Sequence, residues 1–233
     1  HIVFKDEEKL KKFDAKILKT SMISGFLLDE KNLQEKISFI NGDWWVQDFS
    51  SFLPLYNFKK INKNKLILDA CAAPGGKSFQ ILSNKLNVIL NDKNKNRIQT
   101  LKTNLKRLKL SAKILNEDFI QLDNKRLYDI VIIDSPCSAV GTIRRNPEIF
   151  FKNKGPDFDK LLSLQENMLK KASFLLNTNG FIIYMTCSFL ETETIYQVKK
   201  FLELNNNFLI SDIKLKENKK NYSKLIKNNF MIT

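Results

Sequence analysis

Residues 66–78 read Leu-Ile-Leu-Asp-Ala-Cys-Ala-Ala-Pro-Gly-Gly-Lys-Ser. Leu66, Ile67 and Leu68 make a short apolar run, the length of a buried strand rather than of a helix, and Asp69 closes it with a carboxylate. Small residues follow, then Pro74-Gly75-Gly76. Glycine there permits a close backbone approach and the positive φ of a tight turn. A helix is predicted over 77–84. A strand, a glycine turn and a helix N-terminus form the ligand cradle of an open α/β sheet. The stretch has neither the G-x-x-x-x-G-K-S/T spacing of a phosphate loop nor the G-x-G-x-x-G of a dinucleotide fold. The expected ligand is therefore something other than a nucleoside triphosphate or NAD.

Downstream the pattern alternates. Strands are predicted at 87–91, 112–116, 129–134, 181–185 and 208–213, and helices at 93–109, 158–176 and 191–204. Strands alternating with helices imply an α/β fold, a mostly parallel central sheet with helices on both faces. On helix 93–109, Ile98, Leu101, Leu105 and Leu108 share one face and Lys95, Lys102, Lys106 and Lys109 the next. The lysine stripe is read as a solvated face, with an RNA-facing role as the alternative. Upstream, Leu10, Phe13, Ile17 and Leu18 suggest a helix over 5–20. A strand is expected at 37–40, a turn at 41–43 and a helix at 49–56. The pair Trp44-Trp45 is read as packing of this leading segment onto the main domain. The tail 214–229 reads as a loop, and 230–233 as the start of a strand.

The 233 residues carry 39 Lys and Arg against 25 Asp and Glu, a net charge of +14. That balance favours a polyanionic partner such as nucleic acid, although an abundance of Asn, Lys and Ile also fits a biased composition. No apolar run reaches the ~18 residues of a membrane helix, and the charged start HIVFKDEEKL is not a secretory signal. Three widely separated cysteines argue against a disulfide framework and for a reducing, cytoplasmic setting. With one histidine and no C-x-x-C pair, no metal site is expected. The chain begins with His1 rather than Met, so part of a longer protein is expected.

In a doubly wound sheet the ligand lies at the carboxyl ends of the strands. Those ends are Asp69, Asn91-Asp92, Asn116-Glu117-Asp118, Asp134-Ser135-Pro136-Cys137 and Thr186-Cys187-Ser188. Five consecutive strand ends bearing carboxylates or thiols point to a reaction centre. Cys71, among alanines, reads as a small packing residue. Cys137 and Cys187 each fall just past an apolar strand, where a neighbouring cation can lower a thiol pKa and make a nucleophile. Arg144 and Arg145 share the loop after Cys137 and suit phosphate contacts.

LDACAAPGGKS, DSPCSAVGTIRRNPEI and YMTCS, in this order and spacing, resemble the RNA (cytosine-5) methyltransferase family, closest to its bacterial small-subunit ribosomal-RNA branch (Sun/Fmu, RsmB-like). NGDWWVQDFSS resembles the family's lead-in, and the likeness runs from about residue 43 to 208. The resemblance implies a Rossmann-like methyltransferase fold, S-adenosylmethionine as cofactor and RNA as partner, with a monomer expected. It implies that Ala72, Ala73, Pro74, Gly75, Gly76 and Lys77 cradle the cofactor with Asp92 on the ribose, Asp118 at the adenine and Arg97 nearby. Asp134 would stand between methyl donor and target base, Cys187 would be the nucleophile, Cys137 would assist product release, and Lys77 would support Asp134. Arg144 and Arg145 would contact RNA. Ser135 stands where the family usually has alanine, and Glu148 where aspartate is frequent; no catalytic group is lost. Residues 1–45 would be the remainder of a small N-terminal RNA-binding subdomain, and 46–233 the catalytic domain with its C-terminal end cut short. Three alternatives stay open: transfer RNA as substrate, Cys137 as nucleophile as in DNA cytosine-5 enzymes, and a non-catalytic RNA-binding assembly factor of the same fold.

Overall fold

The computed structural model describes residues 1–28, 32–58, 60–123, 125–151, 155–211, 226–227 and 230–231. Its centre is a five-stranded parallel sheet. β5 (Leu66–Asp69), β6 (Asn87–Asn91), β7 (Lys113–Leu115), β8 (Tyr128–Asp134) and β9 (Leu176–Met185) lie in the order β7-β6-β5-β8-β9. The order reverses between β5 and β8, whose register sets Asp69 against Ile132. Ile67, Leu68, Ile130, Val131, Ile132 and Ile133 are all completely buried. Each such side chain contributes about 1.5–3 kcal/mol on leaving water, so the four central residues of β8 alone dominate local stability.

Helices cover the sheet: α4 (Gly76–Ser83), α5 (Lys95–Arg107), α6 (Phe158–Phe174) and α7 (Ile195–Leu204). One apolar cluster joins Ile67, Leu90, Ile130 and Ile132 to Phe79, Leu101 and Leu105; another joins Leu68, Val131 and Ile133 to Met168, Leu169 and Phe201. Alternate residues of each strand thus face opposite helical layers. On α5, Ile98, Leu101 and Leu105 are buried and Lys95, Lys102 and Lys106 exposed, as the sequence pattern requires.

The leading segment departs from expectation. A short α1 (Glu7–Lys11) gives way to strand β2 (Ile17–Ser21), which pairs with β3 (Ser24–Leu27). With β1 (Ile2–Phe4) and β4 (Trp44–Val46) they form an antiparallel sheet ordered β2-β3-β1-β4. The stretch 37–40 is one helical turn, α2 (Ile37–Ile40), with Ile37 and Ile40 exposed, not a strand. Apolar runs of four residues carry no decisive period. α3 (Phe49–Asn57) then leads to β5, its N-terminus capped by Asp48, which accepts from the Ser50 amide at 3.0 Å. Both tryptophans are buried. Trp44 donates to Ser38 Oγ at 3.0 Å, and Trp45 stacks edge-on with Phe79 of α4.

Two boundaries also move. α6 stops at Phe174, and β9 starts at Leu176, five residues before the expected strand. Residues 208–211 form no strand; Leu209 is exposed, and Phe208 packs edge-on against Phe201 at 5.1 Å. The rest of the strand expected at 208–213, and all of the loop expected over 214–229 except 226–227, lie outside the described residues; 226–227 are strand rather than loop. Within the tail, β10 (Ile226–Lys227) pairs antiparallel with β11 (Phe230–Met231). Among the described residues no helix is long and apolar enough to cross a membrane.

Candidate active site

The loop after β5 is fixed by the neighbouring strand end. The Ala72 amide donates to Asn91 O at 2.8 Å, and the Ala73 amide to Asp92 Oδ2 at 3.2 Å. Asp92 is 3% exposed; its other oxygen accepts from the Asn94 amide at 2.9 Å. Arg97 bridges the same elements, donating to Ala73 O and standing 3.4 Å from Asp92 Oδ2. Buried Asn91 ties three strand ends together: its amide donates to Ala70 O and Glu117 O, and its oxygen accepts from the Glu117 amide. The Ala73–Pro74 peptide is cis. Gly75 has φ +119°, a conformation that strains any side chain, and a Cβ there would lie 2.1 Å from the Phe79 ring. Glycine is therefore required where α4 begins.

Three carboxylates surround this loop. The Cys71 thiol is pushed up to about 12, first by burial and then by Asp69, Asp92 and Asp134. Such a thiol is inert at neutral pH, in keeping with a packing role. Asp69 is 1% exposed and raised to about 6 by burial; Ser78 donates to its Oδ2 at 2.6 Å, while Oδ1 has no partner. Asp118 caps its own short helical turn, accepting from the Ile120 amide at 3.1 Å with its carboxylate exposed.

Across the reversal point Lys77 Nζ meets Asp134 Oδ2 at 2.7 Å. Beyond it stand the two thiols, their sulfurs 3.1 Å apart. β8 and β9 run in register from Ile130 opposite Phe181 to Asp134 opposite Met185, and the Ser135 amide donates to Met185 O at 2.8 Å. That register brings residues 137 and 187, fifty positions apart in the chain, to one spot. Cys187 is the exposed member and Cys137 the more enclosed one. The two thiols share a hydrogen bond in which either sulfur can donate, and the Cys187 amide donates to the Cys137 sulfur at 3.3 Å. The shared hydrogen bond holds the Cys137 thiol well above its ordinary value. The same bond is the leading cause that lowers Cys187 to about 7; Lys77 adds to the lowering, while burial and Asp134 oppose it.

Of the two loop arginines, Arg145 pairs with Asp48 at 3.4 Å, which draws the loop to the start of α3, and Arg144 is exposed. Sequence reasoning missed Asn91 as the knot between strands. It also missed Gln165 and Glu193, which lie completely buried beneath the thiol loop. For Glu193 the signal was the acidic run Glu191-Thr192-Glu193-Thr194 just after Thr186-Cys187-Ser188, a loose match to the family's acidic motif there; Gln165, followed by Glu166 and Asn167, gave none.

The description 16S rRNA methyltransferase RsmB/F belongs to the family model that matches residues 57–231. The ribosomal RNA small subunit methyltransferase B of Shewanella oneidensis is 38% identical over 144 residues, covering 60% of this chain and 34% of that protein. That of Vibrio cholerae is 36% identical over 170 residues, covering 71% and 39%. The chain thus spans little more than a third of the length of these curated relatives. Among solved structures, NSun6 from Pyrococcus horikoshii, determined with SFG, superposes with a TM-score of 0.71 at 25% identity, covering 80% of this chain and 48% of that one. A methyltransferase homolog from the same organism gives 0.72 at 21% identity over 93% and 72%, a likeness of fold. With most of its length matched by that model, and with a reversed parallel sheet carrying paired thiols at its carboxyl edge, the chain belongs to the 16S rRNA methyltransferase RsmB/F family.

Proposed function

We propose that this chain methylates cytosine at C5 in RNA, with small-subunit ribosomal RNA as substrate and S-adenosylmethionine as cofactor, through a covalent bond between Cys187 and C6. The observation that carries this reading is the thiol pair: two sulfurs 3.1 Å apart beside a Lys77–Asp134 ion pair, with the exposed one lowered to about 7. The relatives' names and the SFG, an S-adenosylmethionine analogue, of the NSun6 structure support the substrate class and the cofactor.

The residues fit that cofactor. Asp69, Asp92 and Asp134 concentrate negative charge around the loop, and Asp69 leaves one buried oxygen without a donor. Such a setting suits a ligand with an ammonium and a sulfonium and disfavours a diphosphate. Residues 72–77 would hold it, with Asp92 and Arg97 ordering the loop beneath. When bound, it supplies a methyl group on positively charged sulfur, an electrophile for a carbon nucleophile.

The protein's task is to make C5 nucleophilic, since C5 of cytosine is a poor nucleophile. Cys187, as thiolate, bonds to C6, and the C5=C6 electron pair moves toward C5 and the N3 side of the ring. Asp134, oriented by Lys77, accepts a hydrogen bond from the cytosine 4-amino group and fixes the ring, and the Lys77 ammonium beside it offsets the negative charge that develops toward N3. Once C5 carries both methyl and hydrogen, the proton leaves to water. The C5–H pair re-forms the double bond, the C6–S bond breaks, and Cys187 returns as thiolate. The Cys137 thiol, hydrogen-bonded to that sulfur, stabilises it as a leaving group. The target base is splayed from the RNA to reach the thiols.

Incubation with methyl-labelled S-adenosylmethionine and unmodified small-subunit ribosomal RNA tests the reading. Label at C5 of cytosine, lost in Cys187→Ala, is expected. RNA binding without any label transfer identifies a binder of the same fold instead.

A further inference from the structure

We infer that Glu193 is a positioning residue for Cys137, and that it governs the release half of the reaction rather than the attack. The inference rests on the proposed cytosine-5 chemistry. Glu193 has no solvent exposure. Its carboxyl group spends its hydrogen bonds on the residue after Cys137: Oε1 accepts from the Ser138 amide at 2.7 Å, and Oε2 from Ser138 Oγ. Gln165, also completely buried, donates to Glu193 Oε1 at 3.2 Å and to Pro136 O at 2.9 Å, so the residue before Cys137 is held by the same pair. Tyr184 fixes Glu193 from behind, its hydroxyl donating to Glu193 O at 2.8 Å. The loop is closed at its far end as well. The Gly141 amide donates to Cys187 O at 2.9 Å, and a Cβ on Gly141 would meet that oxygen at 2.8 Å.

Burying a carboxyl group is costly unless hydrogen bonds replace its water, and an apolar residue fills a core at less cost. Here every partner of the carboxyl leads to the two peptide units that flank Cys137. Residue 137 itself is gripped on both sides, and its sulfur is left to meet Cys187. Cys187, by contrast, follows β9 directly; its place depends on the strand register and on the Gly141 amide, which lies past the residues Glu193 grips. Loss of Glu193 therefore loosens the thiol that stabilises the departing sulfur while leaving the nucleophile seated. In the elimination the C5 proton goes to water, the C5–H pair re-forms C5=C6, and the C6–S bond breaks to free the Cys187 thiolate. Only the hydrogen bond from Cys137 to that thiolate is lost.

The test uses the full chain with unmodified small-subunit ribosomal RNA and S-adenosylmethionine. It follows first-turnover methylation, steady-state turnover and the protein–RNA adduct that survives denaturing electrophoresis. In Glu193→Ala, steady-state turnover is expected to fall about tenfold, the scale of one lost charge-assisted hydrogen bond. Measured at about pH 9, where Cys187 is largely thiolate with or without that hydrogen bond, first-turnover methylation should hold near wild type, and adduct should accumulate. Glu193→Gln, which keeps an acceptor for the Ser138 amide, is expected to restore most of the turnover. If Glu193→Ala does not fold, Glu193→Asp, which keeps the carboxyl group but withdraws it by one methylene, is expected to show the same split. Equal loss of first and later turnovers without adduct, or wild-type behaviour in all variants, overturns the inference. Failure of the wild-type protein to methylate removes the reading on which it rests. Wild-type methylation with adduct in Cys137→Ala but none in the Glu193 variants leaves that reading standing and defeats this inference alone.

Discussion

Cys187 titrates in the neutral range because its neighbour is a thiol that donates to it. A lowered thiol pKa means that the nucleophilic form is present above about 7 and is lost as pH falls below it. Adduct formation in the first turnover is therefore expected to drop about tenfold per pH unit below that point and to level off above it. Because the leading cause of the lowering is the Cys137 hydrogen bond, Cys137→Ala should shift the profile upward, toward the ~8.5 of an ordinary thiol. The same variant should retain a covalent protein–RNA adduct, since the leaving sulfur loses its donor; absence of that adduct defeats the role given to Cys137. Asp69 gives a stability prediction of opposite sign. Its folded pKa of about 6 lies above the reference value of 3.8, so the folded state holds its proton more tightly. Stability should fall as pH rises between these values, with ~3 kcal/mol at stake above 6. Asp69→Asn, still able to accept from Ser78, should raise the thermal midpoint relative to wild type at pH 7.5 but not at pH 3.5. At this scale the sequence was informative where function requires a particular atom. Both thiols and Asp134 fall at or just past the ends of apolar strand runs, and Lys77 lies at the start of the helix after the glycine turn. Gln165 on α6 and Glu193 in the turn before α7 were opaque because a buried polar side chain looks, in sequence, like a solvated one.

Elements separate into those whose sequence carries its own period and those defined by distant pairing. α5 was legible because Ile98, Leu101 and Leu105 recur along one face of its thirteen residues, and Leu108 continues that face at the C-cap. β8 was legible because seven residues, Tyr128 to Asp134, are almost uniformly apolar, as expected of a strand covered on both faces. β2 was read as helix because Ile17 and Leu18 continue a helical spacing from Leu10 and Phe13. What overrides that spacing is antiparallel pairing with β3, Leu18 opposite Phe26, a contact between segments that no local period encodes. Over the described part of the strand expected at 208–213, residues 208–211, no strand forms for the converse reason: Leu209 finds no cover and lies exposed. The α4 N-terminus offers a direct check. Gly75→Ala would place a Cβ in a left-handed backbone and within 2.8 Å of both Phe79 and Leu101. A loss of about 2–4 kcal/mol in urea unfolding is expected from strain and overpacking together. A change below ~0.5 kcal/mol, the size of an ordinary surface substitution, would show that the cradle tolerates a side chain there.

For the whole molecule, charge and connectivity matter most. With +14 net charge, RNA association should weaken steeply and linearly on a log–log plot against salt, with one unit of slope per phosphate released; a flat dependence would remove the basic surface from recognition. The antiparallel sheet is joined to the parallel one through Arg107 of α5. It donates to Phe39 O at 2.7 Å and Trp44 O at 3.1 Å and lies 3.8 Å over the Phe39 ring. Arg107→Ala is expected to cost about 2–3 kcal/mol, since two carbonyls lose a charged donor and a ring loses its cover. The β8–β9 register has a consequence for synthesis on the ribosome. The cofactor loop is braced by residues up to 117, and Asp134 and Cys137 follow within twenty more. Cys187 emerges fifty residues after Cys137 and is placed only when β9 zips alongside β8. The vectorial order means that Cys187 and then Glu193 are made after Cys137, so the thiol pair and the carboxyl that grips its loop come together only once the end of β9 and the turn beyond it have been synthesised.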